Sequence, residues 1–355
     1  MMTDGILYDE FSKYNVDGIL MDGGDEEGVV DLPIDIVPPE EEVIVDPVKP
    51  AAVVRLVDGD LNGDGTADVL LAITKADHPS AGSTGAWLIQ ENQSAAWGNL
   101  STLGAGWQIF GLGKTDGSKF NDDVFVYNAS TKSLGAWVTD DYGKITGWKS
   151  VYDLKANMNL LALGDFNGDG QSDMLLRSDY GDVGCWFTSG AKQGWNYFQS
   201  LGKEWKIAAV GDFNGDGTDD IALTHSAGFA GCWLVKEDGS VKWSDLDNLG
   251  SNEVAGAGDF NGDGIDDILL KNGSYYGAWL VEDGNARGWM GLGNLGSGRT
   301  VEQIADFNAD GVDDLRVRVD NGAIGSLLVK GANTLEWNYY GSVGKEWNTS
   351  LAATV

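Results

Sequence analysis

Five stretches of this 355-residue chain place oxygen-bearing side chains at positions 1, 3, 5 and 9 of a nine-residue loop with glycine at position 6: DLNGDGTAD, DFNGDGQSD, DFNGDGTDD, DFNGDGIDD and DFNADGVDD. The candidate ligands are Asp60, Asn62, Asp64 and Asp68; Asp165, Asn167, Asp169 and Asp173; Asp212, Asn214, Asp216 and Asp220; Asp259, Asn261, Asp263 and Asp267; and Asp306, Asn308, Asp310 and Asp314. Position 7 varies freely (Thr66, Gln171, Thr218, Ile265, Val312), as expected of a residue offering only its carbonyl oxygen. Such a set converges on a hard cation taking ~6 to 8 oxygens, in the ligand order of the first nine positions of an EF-hand loop. Calcium is the expected ion, at about five sites, because magnesium keeps its waters and rarely fills an all-protein cage. The bidentate glutamate of position 12 is missing: Leu176, Leu223 and Leu270 stand there and open an apolar run instead of a helix. Asp, Asn and Gly also make ordinary solvated turns. Five copies in register, each gathering carboxylates that repel one another when empty, favour the metal.

Little else in the chain could do chemistry. His78 and His225 fall at non-equivalent, loop-like positions and read as surface residues, and no GxSxG, HExxH or CxxC motif occurs. Cys185 and Cys232 replace alanine or serine at the same point of neighbouring units, so they read as small buried residues too far apart to bridge. Carboxylates outside the loops, such as Asp140, Asp141, Glu237, Asp238, Glu282 and Asp283, fall at hairpin turns and offer no glycosidase pair. No catalytic residue is expected. The net charge of −32, from 55 acidic against 23 basic residues, argues against a nucleic-acid partner. No apolar run approaches the ~18 residues of a membrane span.

The loops recur in a frame that fixes the elements around them. Starts at Asp165, Asp212, Asp259 and Asp306 are each 47 residues apart, a period typical of solenoids, propellers and arrays. Each unit holds four short apolar segments rich in β-branched and aromatic residues, for example KIAAVG, DIALTH, GCWLVK and VKWSDLDNLG, and none has helical spacing. The third segment repeats six times as small residues before a large one: GAWLI at Gly85, GAWV at Gly135, GCWF at Gly184, GCWLV at Gly231, GAWLV at Gly277 and GSLLV at Gly325. Four strands in 47 residues predict an all-β propeller of six blades. WNTSLAATV at Trp347 copies the strand before the loop, leaving a partial seventh blade as an option. All 14 tryptophans fit the frame: five in the third strand, six about ten residues later, and Trp107, Trp205 and Trp347 opening a pre-loop strand. Blade-to-blade packing is their expected role, with sugar-stacking the alternative. Residues 1–50 hold five of the six prolines and the acids Glu40–Glu42, and read as an acidic tail or linker before a propeller over 51–355.

With five DxNxDGxxD loops in register over residues 52–355, the chain resembles the FG-GAP or VCBS repeat family, known from the β-propeller of integrin alpha subunits. The resemblance implies that each loop joins the first and second strands of a blade and binds calcium through Asp60, Asn62, Asp64, Asp68 and their equivalents. The second unit departs from this pattern. In GLGKTDGSKFNDDVFV, counting back from Asp123 puts Thr115 first and Lys119 fifth, whereas anchoring on Gly113 puts Lys114 first. Either way a carboxylate is lost, so no calcium is expected there, and a lysine is the expected tethered cation. The expected function is a calcium-stabilised binding or adhesion module for protein or polysaccharide. The alternatives are a lectin-like propeller with inter-blade aromatic pockets, or an accessory domain of a larger secreted enzyme. Extracellular modules hold calcium at ~10⁻⁴ to 10⁻³ M, which places the protein in a secreted or cell-surface setting although MMTDGILYDEFSKYNVDG has no signal-peptide pattern.

Overall fold

The computed structural model describes residues 59–348 except 76, 117–119 and 191–192. The acidic proline-rich segment lies outside the described residues. Those described form six antiparallel sheets of four strands, the blades of a propeller, numbered here in chain order. Blade 3 shows the plan: Met158–Gly164, Asp173–Ser178, Asp182–Phe187 and Gly194–Ser200 pair one after another. Blade 2 begins at Trp107–Gly113, blade 4 at Trp205–Gly211, blade 5 at Glu253–Gly258 and blade 6 at Arg299–Ala305.

Burial grades each blade from axis to rim. Second strands such as Val69–Ile73 and Asp123–Asn128 are buried at every residue and, apart from the polar ends of the latter, read as apolar runs, the pattern of a strand covered on both faces. Fourth strands such as Ala95–Thr102 are exposed at alternate or successive residues and form the rim. First strands of blades 2 to 6 share one irregularity, a register shift after Ile109, Leu160, Ile207, Val254 and Val301, where an extra residue increases the local twist.

The cores lie between blades. Phe166, Phe198 and Leu201 of blade 3 pack with Ile207, Ile221 and Trp233 of blade 4, and the other apolar clusters likewise join two neighbours. The third-strand residues Trp87, Trp137, Trp186, Trp233 and Trp279 all belong to these junctions, as the sequence predicts for tryptophan.

The strand at Trp347 corrects the option of a seventh blade. Trp347–Asn348 pairs with Val69–Ile73 (Ile73 opposite Trp347, Ala72 opposite Asn348) and so completes blade 1 as its first strand. A pre-loop strand copied at the end of the chain fits the open edge of the second strand in blade 1. The Arg318 guanidinium of blade 6 holds it from the side, donating from Nη1 to the Trp347 carbonyl at 2.7 Å. Beside this seam the core of blade 6 is polar. Arg316, 2% exposed where the other blades place Leu, Ala or Phe, donates to Glu302 Oε2 at 2.8 Å and to Gln303 Oε1 at 3.0 Å. Gln303 Nε2 in turn reaches the Asp68 carbonyl of blade 1 at 3.3 Å.

Candidate functional site

In blades 3 to 6 the nine-residue loop joins the first and second strands, in blade 1 the Asp60 loop leads into the second strand, and each loop is folded by its own first residue. Asp165 Oδ1 accepts the N–H groups of Gly168 (2.8 Å) and Asp169 (3.1 Å), and its Oδ2 accepts that of Gly170 (2.7 Å). Asp60, Asp212 and Asp259 repeat this set, and Asp306 accepts from Asp310 and Gly311. The turn needs a left-handed residue at position 4, met by Gly168 (φ 71°) and in the fifth loop by Ala309 (φ 58°), where a side chain costs strain. Position 2 anchors the turn from below: Leu61, Phe166, Phe213, Phe260 and Phe307 are at most 1% exposed and enter the core shared with the next blade. Sequence reasoning passed over this residue, although its apolar type in every copy was visible.

Position 9 carries the most unusual electrostatics. Asp68, Asp173, Asp220, Asp267 and Asp314 have no exposed surface. Their Oδ1 atoms accept N–H groups at the end of the third strand, those of Ile89, Val235, Val281 and Val329 and of Thr188 just past it, at 2.7–2.9 Å. Burial pushes the carboxyl groups of Asp68, Asp173 and Asp220 up to about 8, against the lowering effect of those hydrogen bonds, and the carboxylates at positions 1 and 5 push the same way. Asp267 and Asp314 rise to about 7 for the same reasons. Each loop is thus a small hollow of mutually repelling hard oxygen donors with one acid fully withdrawn from water. Among the described residues no three such acids already stand at ligation distance. Asp165 and Asn167 instead satisfy N–H groups of the turn, with Asn167 Nδ2 donating to Asp173 Oδ2 at 2.9 Å. In donor type and order the loops fit calcium, with positions 1, 3, 5 and 9 offering side-chain oxygen.

Blade 2 resolves the alignment left open by its sequence. Ser172 N donates to the Lys114 carbonyl at 2.8 Å, the bond that Asp219 N makes to the Asp165 carbonyl, so Lys114 holds position 1. Lys114 Nζ stands 3.4 Å from Asp122 Oδ1, and Lys149 Nζ from the fourth strand donates to the Thr115 carbonyl at 2.6 Å. The buried Asp123 accepts from the Thr115 hydroxyl and from Thr139 N (2.9 Å). Lys119 lies outside the described residues; Lys149, far away in sequence, gave no signal.

Position 8 links the loops into a ring. Asp219 Oδ2 accepts Asp165 N at 2.7 Å while Asp219 N donates to the Asp165 carbonyl at 2.8 Å, which clasps blade 4 to blade 3. The same double clasp joins Asp266 to Asp212, Asp313 to Asp259, Asp122 to Asp60 and Ser172 to Lys114. At the seam Ala67 N donates to the Asp306 carbonyl at 2.9 Å, and alanine has no side chain to complete the pair.

The fourth-strand tryptophans take another role. A Cβ built on Gly85, Gly135, Gly184, Gly231, Gly277 or Gly325 of the third strand would overlap the ring of Trp97, Trp148, Trp195, Trp243, Trp289 or Trp337 of the fourth. These indoles cover a glycine of their own blade and turn their outer faces outward, 38–52% exposed in all but Trp243. The sequence-based assignment to blade-to-blade packing therefore holds for the third-strand set and for Trp243, which packs on the core shared by blades 3 and 4, and is corrected for the other five fourth-strand tryptophans. Two recesses open beside them at blade junctions. One, of about 300 Å³, is walled by Tyr152, Met158, Trp186, Trp195 and Tyr197, with Asp182 at its rim. The other, of about 360 Å³, is walled by Trp279, Trp289 and Tyr275, with Asp247, Asn252 and Asn272 around it. Each draws on two blades, with an outer tryptophan as one wall. His225, expected at the surface, is partly covered and stands edge-on to Trp205 at 4.8 Å. Cys185 and Cys232 are buried free thiols, as expected.

Residues 165–223 match the FG-GAP-like repeat family model, so the chain carries this repeat across the first-to-second-strand loop of blade 3 and into blade 4. No curated protein sequence matches the chain. Among solved structures, an Agrocybe aegerita lectin that recognises non-reducing terminal N-acetylglucosamine is similar over 77% of this chain and 76% of its own, at 14% identity and a TM-score of 0.51. The Photorhabdus luminescens Tc holotoxin pore aligns over 82% of this chain and 14% of its own, at 14% identity and a TM-score of 0.50. At such identities the likeness is one of fold.

Proposed function

We propose that this chain is a non-enzymatic, calcium-braced binding propeller acting outside the cell, and that it holds saccharides in the recesses between its blades. The observation that carries this reading is the repetition of one recess chemistry at two junctions, aromatic walls with a polar rim: Trp186, Trp195 and Asp182 in one, Trp279, Trp289 and Asn272 in the other. A pyranose ring has apolar C–H faces and a belt of hydroxyls, so it matches a slot with apolar walls and a few convergent polar groups. Volumes of about 300 and 360 Å³ suit a sugar unit or two and favour polysaccharide over a flat protein interface. Calcium, held by positions 1, 3, 5, 7 and 9 of the five loops, would neutralise the buried acid and fix the turn. Lys114 and Lys149 would take over that duty in blade 2. The weak affinity usual for extracellular modules is the argument for the location. A glycan array probed in calcium and in EGTA tests the reading: one sugar class bound at more than one equivalent site supports it, and silence across the array refutes it.

A further inference from the structure

The six junctions differ at one register position, the residue opening each first strand. Strand pairing puts Trp347, Trp107, Met158, Trp205, Asn252 and Arg299 in equivalent places in blades 1 to 6, facing or adjoining Ile73, Asn128, Ser178, His225, Asn272 and Val319. In blades 1, 2 and 4 the residue is tryptophan, and its ring packs on the inter-blade core and stands edge-on to the outer indole of its own blade. Trp347 meets Trp97 at 5.7 Å and 83°, Trp107 meets Trp148 at 5.4 Å and 89°, and Trp205 meets Trp243 at 5.3 Å and 80°. In blades 3 and 5, Met158 and Asn252 hold the place, and there the recesses lie open against Trp195 and Trp289. In blade 6, Arg299 turns its guanidinium to the Leu295 carbonyl.

We propose that this single position selects which junctions bind: a tryptophan fills the recess with the protein's own indole, and Met158 or Asn252 leaves it open to a ligand ring. The selection rests on the saccharide reading given above. Among the described residues it gives a site in blade 3 and another in blade 5, so a polymer that presents its sugar repeatedly gains avidity from engaging both. It also explains why the outer tryptophans are repeated in all six blades while the inner set is not. The outer ring caps its glycine everywhere, and the inner one decides whether the ring beside it is available.

The test titrates a panel of methyl glycosides of glucose, galactose, mannose and N-acetylglucosamine into the full chain with calcium, and reads stoichiometry by calorimetry. Met158→Trp and Asn252→Trp copy a side chain that blades 1, 2 and 4 already accommodate. Each is expected to remove one of two sites, the double variant both, and Trp205→Asn to add a third. An unchanged stoichiometry in both blocking variants overturns the proposal while leaving the saccharide reading standing. If the wild type binds none of the panel, the saccharide reading fails, and free indole, the ring that already fills the recess in blade 4, becomes the probe on the same proteins. Indole uptake by the wild type that falls in Met158→Trp and rises in Trp205→Gly upholds selection by this residue, and uptake indifferent to all three variants overturns it. Melting curves of the two blocking variants identify a misfolded one, and the other then carries the measurement.

Discussion

Stripping calcium with EGTA is the perturbation to which this architecture should be most sensitive, and its effect should grow with pH. An ion that binds only the folded state stabilises it by RT ln(1 + [L]/Kd) per site. At ~2 mM calcium and a Kd of ~10⁻⁴ M this is about 1.8 kcal/mol per loop, or about 9 kcal/mol for five independent loops. For a body of this size about 2 °C of melting temperature accompanies each kcal/mol, so chelation should lower the transition by ~20 °C. The pH dependence follows from position 9. In EGTA, Asp68, Asp173 and Asp220 are pushed up to about 8 and Asp267 and Asp314 to about 7 in the folded state. An unfolded aspartate titrates at ~3.9. The folded chain therefore retains protons that the unfolded chain has released. This contribution to stability is complete below pH ~4 and is lost as pH rises through 7 to 8. On the proposed reading bound calcium would take the place of those protons, so the difference in melting temperature between calcium and EGTA should be wider at pH 8 than at pH 5.5. Scanning calorimetry at both values decides: coincident transitions at pH 8, or a gap that narrows as pH rises, would refute the reasoning.

Three further outcomes are expected. Gly231→Ala should cost ~1–3 kcal/mol in chemical denaturation, because the new methyl overlaps the Trp243 ring; Trp243→Ala in that background should recover part of the loss, and two additive losses would contradict the packing. Arg316→Met alone should cost ~3–5 kcal/mol by stranding Glu302 in the core, whereas Arg316→Met with Glu302→Leu should come close to wild type; equal costs for single and double variants would show that the ion pair itself supplies the stability. Cys185 and Cys232 are buried with their thiols pushed well above the usual range, so Ellman's reagent should label neither until the protein unfolds; rapid labelling of the native protein would contradict that burial.

The blades were legible because their signals are local. A 47-residue period, a glycine before each third-strand indole and loop acids at fixed offsets each sit within one unit. What could not be read was whatever two distant units make together. Trp347 looked like the start of a seventh blade because its partner Ile73 is remote in sequence. Asp219 and Asp266 at position 8 gave no signal, since their partners Asp165 and Asp212 belong to the loop before. Lys149 gave no hint that it reaches the Thr115 carbonyl. The recess at Met158 assembles from Tyr152 of one blade and Trp186 and Trp195 of the next, so aromatic content predicted its material but not its place. Trp107, Trp205 and Trp347 were counted as one class from sequence; why three blades lack that class emerges only beside the recesses.

The position-8 clasps make the loops a closed one-dimensional lattice in which each member touches only its two neighbours. The ring has two defects: the Ala67 seam, a link without its side-chain arm, and blade 2, a member that keeps both clasps but carries Lys114 in place of the first acid. The loop at Asp60 lies between these defects, while those at Asp165, Asp212, Asp259 and Asp306 run unbroken through Asp219, Asp266 and Asp313. Order imposed on any one of those four spreads to the next through its double clasp, whereas the clasp from the Asp60 loop leads only to the lysine-bearing loop of blade 2. A calcium titration should accordingly resolve a coupled group of four sites from a single independent one, with Asp266→Ala cutting the group in half.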